Sequence, residues 1–259
     1  MNVPAAIPPL TRPPVGSIVQ AAAALRFLGA NRDGAGVTAI ARAIGIGPSS
    51  CFNVLRTLVL EDLVAFDPVT KTYTLGLGTI DLARQALRRD AVVQAAEGPM
   101  ALLAETHDAA IGLWRLAPSD RLVLVALAES EAATRIHMVV GQRQPAAAGA
   151  AGRAVVAARG LDDAAVRAVF AGTRWQNAPT VSDYLAQVRD AETRGFAIDI
   201  DQINRGIATI AAPILDDRGE ARFVLSASMF AGRDAAALDR IGQSVRDSAQ
   251  ALGQTISRA

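Results

Sequence analysis

The feature that most constrains this chain is the run Gly45-Ile46-Gly47-Pro48, which ends one short helix and opens another with almost nothing between them. Before it, Ile40, Ala41 and Ile44 fall at helical spacing on one face. After it, Pro48 stands at the helix start, where its missing N–H costs nothing, with Ser49 and Ser50 in the first turn. Cys51, Val54, Leu55, Leu58 and Leu63 then continue an apolar stripe, while Ser49, Ser50, Phe52, Asn53 and Arg56 lie off it. From Val64 to Leu75 the pattern changes to alternation on both sides of Asp67-Pro68, as a hairpin requires. Two helices joined by a tight glycine turn and followed by a hairpin predict a winged helix-turn-helix. The outward residues of its second helix have the chemistry that reads DNA grooves: hydroxyls, an amide and a guanidinium.

Composition sets the frame around this element. The chain has 259 residues, 51% hydrophobic and 20% charged, enough for about two domains with their own cores. No apolar run has the length of a membrane span. Residues 1–14 carry five prolines without a basic-then-apolar signal pattern, so they are read as a disordered arm and the protein as cytoplasmic. Cys51 is the single cysteine and His107 and His137 are the only histidines, which excludes an intramolecular disulfide and argues against a protein-built metal site. No cofactor is expected. Residues 1–80 carry six basic against four acidic residues, a mild excess that permits nucleic-acid binding without demonstrating it.

Along the rest of the chain, Ser17 to Ala30 is an alanine-rich helix under the winged domain, and a helix after Gly78 places Ile80, Ala83 and Leu87 opposite Arg84, Arg88 and Arg89. The latter is read as a linker able to pair with a second chain. Helices are then expected at about Val93–His107, Ala146–Arg159, Asp162–Phe170, Val181–Gly195 and Arg233–Ser257. Strands are expected at 109–116, 121–129, Arg135–Val140, Ile207–Ala212 and Ala221–Met229. This order predicts an α+β fold with helices packed on a mixed or antiparallel sheet.

Four landmarks over residues 15–255 resemble the IclR family of bacterial transcriptional regulators. They are AIARAIGIGPSSCFNVLRTLVLEDLV with YTLG; the linker helix; GQRQPAAAGAAGRAVVA at 141–157; and RGFAID at 194–199 with GIATIAAPILDDRG at 206–219 and LSAS at 225–228. The resemblance implies a winged domain at 15–77, a linker helix at 78–92 and a GAF-like effector-binding and oligomerisation domain at 93–259. It implies double-stranded operator DNA, a small organic acid effector, and a homodimer or dimer of dimers as partners. Departures from the family pattern are Ala147 in place of a histidine, Arg153 in place of a lysine, Thr209 in place of a cysteine, and Asn53 where arginine is frequent. Loss of the cysteine and histidine points to an effector larger or less polar than glyoxylate-like acids, such as an aromatic carboxylate.

Matching positions place the effector around Ala150, Ala151, Gly152, Asp199, Ile207, Thr209, Ser226 and Ser228, and Trp114 and Met138 are read as an apolar wall of the same pocket. Small residues at a helix start expose N–H groups to an anion, and serines two apart on a strand face one side, so a carboxylate is held without a buried arginine. The structural reading of the same residues is close helix packing and satisfied core hydroxyls, and Ile136, His107 and His137 are taken as structural. For DNA the candidates are Ser49, Ser50, Phe52, Asn53, Arg56 and, in the wing turn, Lys71, with Arg12 and Arg32 as further backbone contacts. A winged domain that docks a protein partner is the alternative. An enzyme is not expected: there is no G-x-S-x-G, P-loop or S-x-x-K, and Gly76-Leu77-Gly78 lacks the third glycine of a dinucleotide site.

Overall fold

The computed structural model describes residues 13–31, 33–88, 91–117, 120–131, 136–173, 175 and 177–256. The disordered-arm expectation for 1–12, and Arg12, Arg32, Arg89 and Arg135, lie outside these. The chain divides into two compact units, Met1–Arg89 and Asp90–Ala259.

In the first unit, α1 (Gly16–Ala30), α2 (Val37–Ile44) and α3 (Pro48–Leu60) precede a hairpin of β1 (Val64–Asp67) and β2 (Thr72–Leu75) and the helix α4 (Gly78–Arg88). Gly45 ends α2 in the left-handed conformation (φ 71°), and α2 and α3 meet at 108°. Ala24, Leu28, Ile40, Cys51, Leu55, Leu58, Val64 and Tyr73 form the core where the three helices meet the hairpin. The hairpin turn is held by Asp67, whose Oδ1 accepts from the N–H groups of Val69 (2.8 Å) and Thr70 (3.3 Å). A second backbone partner for β2 comes from Ala35, which pairs with Tyr73. The start of α4 is tied to the same unit: the Gly78 N–H donates to the Asp62 carbonyl at 3.0 Å. A Cβ at Gly76 or Gly78 would lie 2.3 or 2.8 Å from that oxygen, so both positions require glycine.

The second unit contains α5 (Ala91–His107), β3 (Ala110–Ala117), β4 (Arg121–Ala128), β5 (Arg143–Pro145), α6 (Gly149–Ala158), α7 (Asp163–Ala171), α8 (Val181–Arg194), β6 (Ala197–Ile200), β7 (Ile207–Leu215), β8 (Ala221–Phe230) and α9 (Ala235–Ile256). Its six strands run in the order β5-β4-β3-β8-β7-β6, and every pairing is antiparallel. Period-two alternation divides the sheet between two cores. Ile111, Leu113, Ile210, Ala212, Leu225 and Ala227 face α5 and α9, whereas Trp114, Ala211 and Val224 face α6. Side-chain caps open α7 (Asp162 to the Ala165 N–H, 2.8 Å) and α8 (Thr180 to the Asp183 N–H, 3.0 Å), and Gly195 closes α8 at φ 75°.

Two expectations are corrected. Residues 136–140 are not a strand; β5 lies downstream at Arg143–Pro145, and the Gly141 N–H reaches the Leu124 carbonyl at 2.7 Å instead. Residues 146–148 form a turn, in which the Ala148 N–H donates to the Pro145 carbonyl at 3.0 Å, and the helix begins only at Gly149, whose φ of 62° turns the chain into it. The short strand β6 is an addition that alternation alone does not reveal.

Candidate functional site

Burial of Cys51, Leu55 and Leu58 fixes the rotation of α3 and leaves Ser49, Ser50, Phe52, Asn53 and Arg56 exposed on its opposite face. Ser49, Phe52, Asn53 and Arg56 recur at the three- and four-residue spacing of one helical ridge. None of these side chains is engaged in a hydrogen bond or ion pair among the described residues; Thr57 Oγ1 donates only to the Asn53 backbone carbonyl, at 3.0 Å. Burial raises the Cys51 thiol above its ordinary pKa, in keeping with a packing role. Lys71 is exposed in the wing turn with φ 56°.

In the second unit, the sheet face under α6 is not filled. A cavity of about 270 Å³ opens there, lined by β-strand residues Trp114, Asp199, Ile207, Thr209, Ser226 and Ser228 and by Ala148, Gly149, Ala150 and Ala151 at the start of α6. Register explains why residues so distant in sequence meet. Asp199 pairs with Thr209, Thr209 with Ser228, and, one row along, Ala211 with Ser226 and Ser226 with Gly112, all on adjacent strands. Gly112 makes room for the indole beside it, since a Cβ there would lie 2.9 Å from Trp114 Nε1. That nitrogen donates to Ser226 Oγ at 2.8 Å, and Ser226 in turn donates to the Gly112 carbonyl at 3.4 Å. Ser226 is therefore internally satisfied. Thr209 and Ser228 share a single hydrogen bond (3.2 Å), which leaves one of their two protons for a ligand. At the opposite wall α6 has no side-chain cap on its first N–H groups, and Gly149, Ala150 and Ala151 of that first turn line the cavity.

Behind this wall lies a buried ion pair. Arg153, 0% exposed, donates through Nη1 to Asp199 Oδ2 at 2.9 Å, and Asp199 is 4% exposed. Arg153 Nη2 also contacts Gln202 Oε1, and the Ile203 N–H donates to Asp199 Oδ1 at 3.3 Å. The guanidinium packs against the rings of Trp175 and Tyr184 (5.7 and 5.4 Å to the centroids). Burial pushes the Tyr184 phenol up to about 12 against the opposing influence of Arg153, so it stays protonated, and it donates to the Ala147 carbonyl at 3.1 Å. The cation lies one layer back from the cavity, outside its lining, and neutralises the carboxylate on the wall.

Of the effector candidates, all but Gly152 line the cavity. Gly152 faces the preceding loop, where a Cβ would lie 2.0 Å from the Ala147 carbonyl carbon, so it serves close packing. Ala147 points away from the cavity as well, so the missing histidine does not enlarge it. Ile136 and His137, taken as structural, are on the lining, together with Gln142, Gln144, Ile203 and Asn204, which sequence reasoning missed. The cluster of amide side chains at 142 and 144 beside a glycine was the available signal. His107 does remain away from the cavity; its buried Nε2 has no partner among the described residues.

A winged helix-turn-helix whose polar ridge faces outward, joined in one chain to a domain with a polar-walled internal cavity, defines a ligand-sensing DNA-binding regulator. Comparison with known proteins agrees. Residues 84–254 match the description "Bacterial transcriptional regulator IclR C-terminal" and residues 17–68 the "IclR helix-turn-helix domain". The chain belongs to the IclR family of bacterial transcriptional regulators. It is 30% identical to the glycerol operon regulatory protein of Streptomyces coelicolor, covering 79% of this chain and 80% of that one. It is 25% identical to the Escherichia coli transcriptional regulator KdgR, covering 79% and 78%. Among solved structures, an IclR regulator from Alicyclobacillus acidocaldarius shares the fold at TM-score 0.83 and 24% identity, covering 94% of this chain and all of that one. An IclR homologue from Microbacterium hydrocarbonoxydans, solved with 4-hydroxybenzoate, does so at TM-score 0.78 and 17% identity, covering 94% and 100%. Among the described residues no single helix is long and apolar enough to cross a membrane.

Proposed function

We propose that this regulator binds an inverted-repeat operator as a dimer and that a small organic acid, an aromatic carboxylate, in the second-unit cavity changes that binding. The observation that carries the reading is the uncapped N-terminus of α6 opening on a cavity of about 270 Å³ whose floor offers an indole and a spare hydroxyl proton. The carboxylate takes the helix N–H groups, the ring lies against Trp114 and Met138, and Asp199 accepts from a donor on the far side of the ligand. 4-Hydroxybenzoate, present in the Microbacterium structure, is a compound of this class. For DNA, Ser49, Ser50, Asn53 and Arg56 read bases and phosphates from the major groove and Lys71 contacts phosphate or minor groove from the wing.

Dimerisation is supported by apolar side chains the first unit leaves in water: Val15, Ile18 and Val19 of α1 or just before it, and Leu77, Ile80 and Leu82 at α4, with Ile18 67% and Leu77 72% exposed. Effector domains joining two dimers complete the proposed assembly. The test is a mobility shift on the intergenic DNA beside the protein's own gene, with a panel of aromatic and short-chain acids, paired with calorimetry on the same acids. Specific binding altered by an aromatic acid supports the reading. Response only to two- or three-carbon oxoacids overturns the ligand class, and no specific DNA binding leaves the winged domain as a protein-docking module.

A further inference from the structure

Resting on the operator-reading role just proposed, we infer that Phe52 reads the 5-methyl group of a thymine in the major groove. Phe52 is 49% exposed although it sits beside Cys51, which is 0% exposed, and it belongs to neither the buried nor the partly buried members of the first unit's core. Among the described residues it pairs with no other ring, and the aromatic contact of that unit is between Phe66 and Tyr73. Phe52 is therefore a large apolar group that folding does not use. Its helical neighbours on the exposed ridge are Ser49, Asn53 and Arg56, all polar.

The position of Phe52 narrows the occupant. It lies in the first turns of α3, the part of a recognition helix that approaches base edges. The major-groove edge is polar throughout except for one group, the thymine methyl, and aromatic or small apolar side chains are its partners. Phosphates offer the ring nothing, and an exposed phenyl among hydroxyls and an amide gains only where an apolar surface meets it. Asn53, one residue on, carries an amide suited to adenine, so the two side chains favour sites containing A·T pairs.

The experiment uses the full chain and Phe52→Ala, each selecting sites from randomised duplex DNA by mobility shift. In the wild-type consensus every thymine is then replaced singly by deoxyuridine, which deletes only the methyl group. At one thymine per half-site the wild type is expected to weaken by about fourfold, the worth of one buried methyl contact, while Phe52→Ala binds both duplexes equally. Methyl deletion that is silent in the wild type at every position, or that weakens both proteins alike, overturns the inference while leaving operator reading intact. Selection of no sequence by the wild type overturns operator reading itself and this inference with it. Phe52 is exposed and outside the core, so the variant retains the fold; unchanged Tyr73-containing hairpin and helix signals in circular dichroism check this.

Discussion

At the residue scale the Arg153–Asp199 pair is the largest electrostatic commitment in the second unit. Both groups have left water, and removing one partner of a buried pair costs about 3–5 kcal/mol because the other is stranded. Arg153→Met is therefore expected to lower stability by about that amount, and Arg153→Met with Asp199→Asn to recover most of it. Trp114 and Trp175 are the two tryptophans of the chain and both lie in this unit, so fluorescence-detected urea unfolding reports it alone. A loss under about 1 kcal/mol in the single variant contradicts the account, being what an exposed pair gives. His107 supplies a pH term. Burial first, and Arg233 second, hold its imidazole below the ordinary 6.5. The unfolded chain takes up a proton at 6.5 that the folded chain refuses, so this contribution is complete above 6.5 and is lost as pH falls toward the folded value. Urea midpoints are expected to drop between about pH 7.5 and about 5.5, and His107→Gln to flatten that dependence. His107 was already read as structural from the sequence, whereas the Arg153–Asp199 pair was not. A buried cation is recognised only with its partner, and Asp199 is 46 positions away from Arg153.

Elements were read best where glycine and proline punctuate them. Gly45 and Pro48 bound α2 and α3, and Gly195 closes α8, because backbone conformation there admits few other residues. The errors came from apolar runs. Ile136, Met138, Val139 and Val140 look like a strand, but Ile136 and Met138 are apolar because they wall a cavity. The four-residue β6 is too short for alternation to show. Seven of the cavity positions were reached through motif resemblance and Trp114 and Met138 as an apolar wall, whereas His137, Gln142, Ile203 and Asn204 on loops and Gln144 on the three-residue β5 are brought together only by the fold. Two helical glycines test what the elements tolerate. In α6, Gly152→Ala places a methyl on the Ala147 backbone and is expected to cost about 1–3 kcal/mol. In α5, Gly98→Ala meets nothing within 4 Å and is expected to add about 0.5–1 kcal/mol. The same fluorescence-detected unfolding reads both, and equal signs would contradict the packing account. In the wing, Lys71 is the only lysine. Lys71→Gln is expected to reduce the slope of log affinity against log salt by about one per wing, with an unchanged slope ruling out a phosphate contact.

At the scale of the whole molecule, the proposed ligand cavity and the proposed DNA-reading ridge belong to different compact units, so an effector bound there acts on DNA only through its unequal affinity for the DNA-bound and DNA-free states. Linkage then makes the effect reciprocal: an acid that weakens operator binding by some factor must itself be bound more weakly by the same factor when operator is present. The protein carries its own reporter for this. Trp114 lines the cavity while the first unit has no tryptophan, so quenching or enhancement of indole emission follows acid binding without a label and without interference from the DNA-reading helix. Titrating the most effective acid with and without saturating operator is expected to shift its apparent dissociation constant by the factor that the acid imposes on the mobility shift, and in the matching direction. Equality of the two factors places the acid's action in a shift between two states of one molecule. An operator effect without a corresponding shift in acid affinity excludes the cavity as the site of that action, because an equilibrium cannot be moved by a ligand that does not distinguish its two sides.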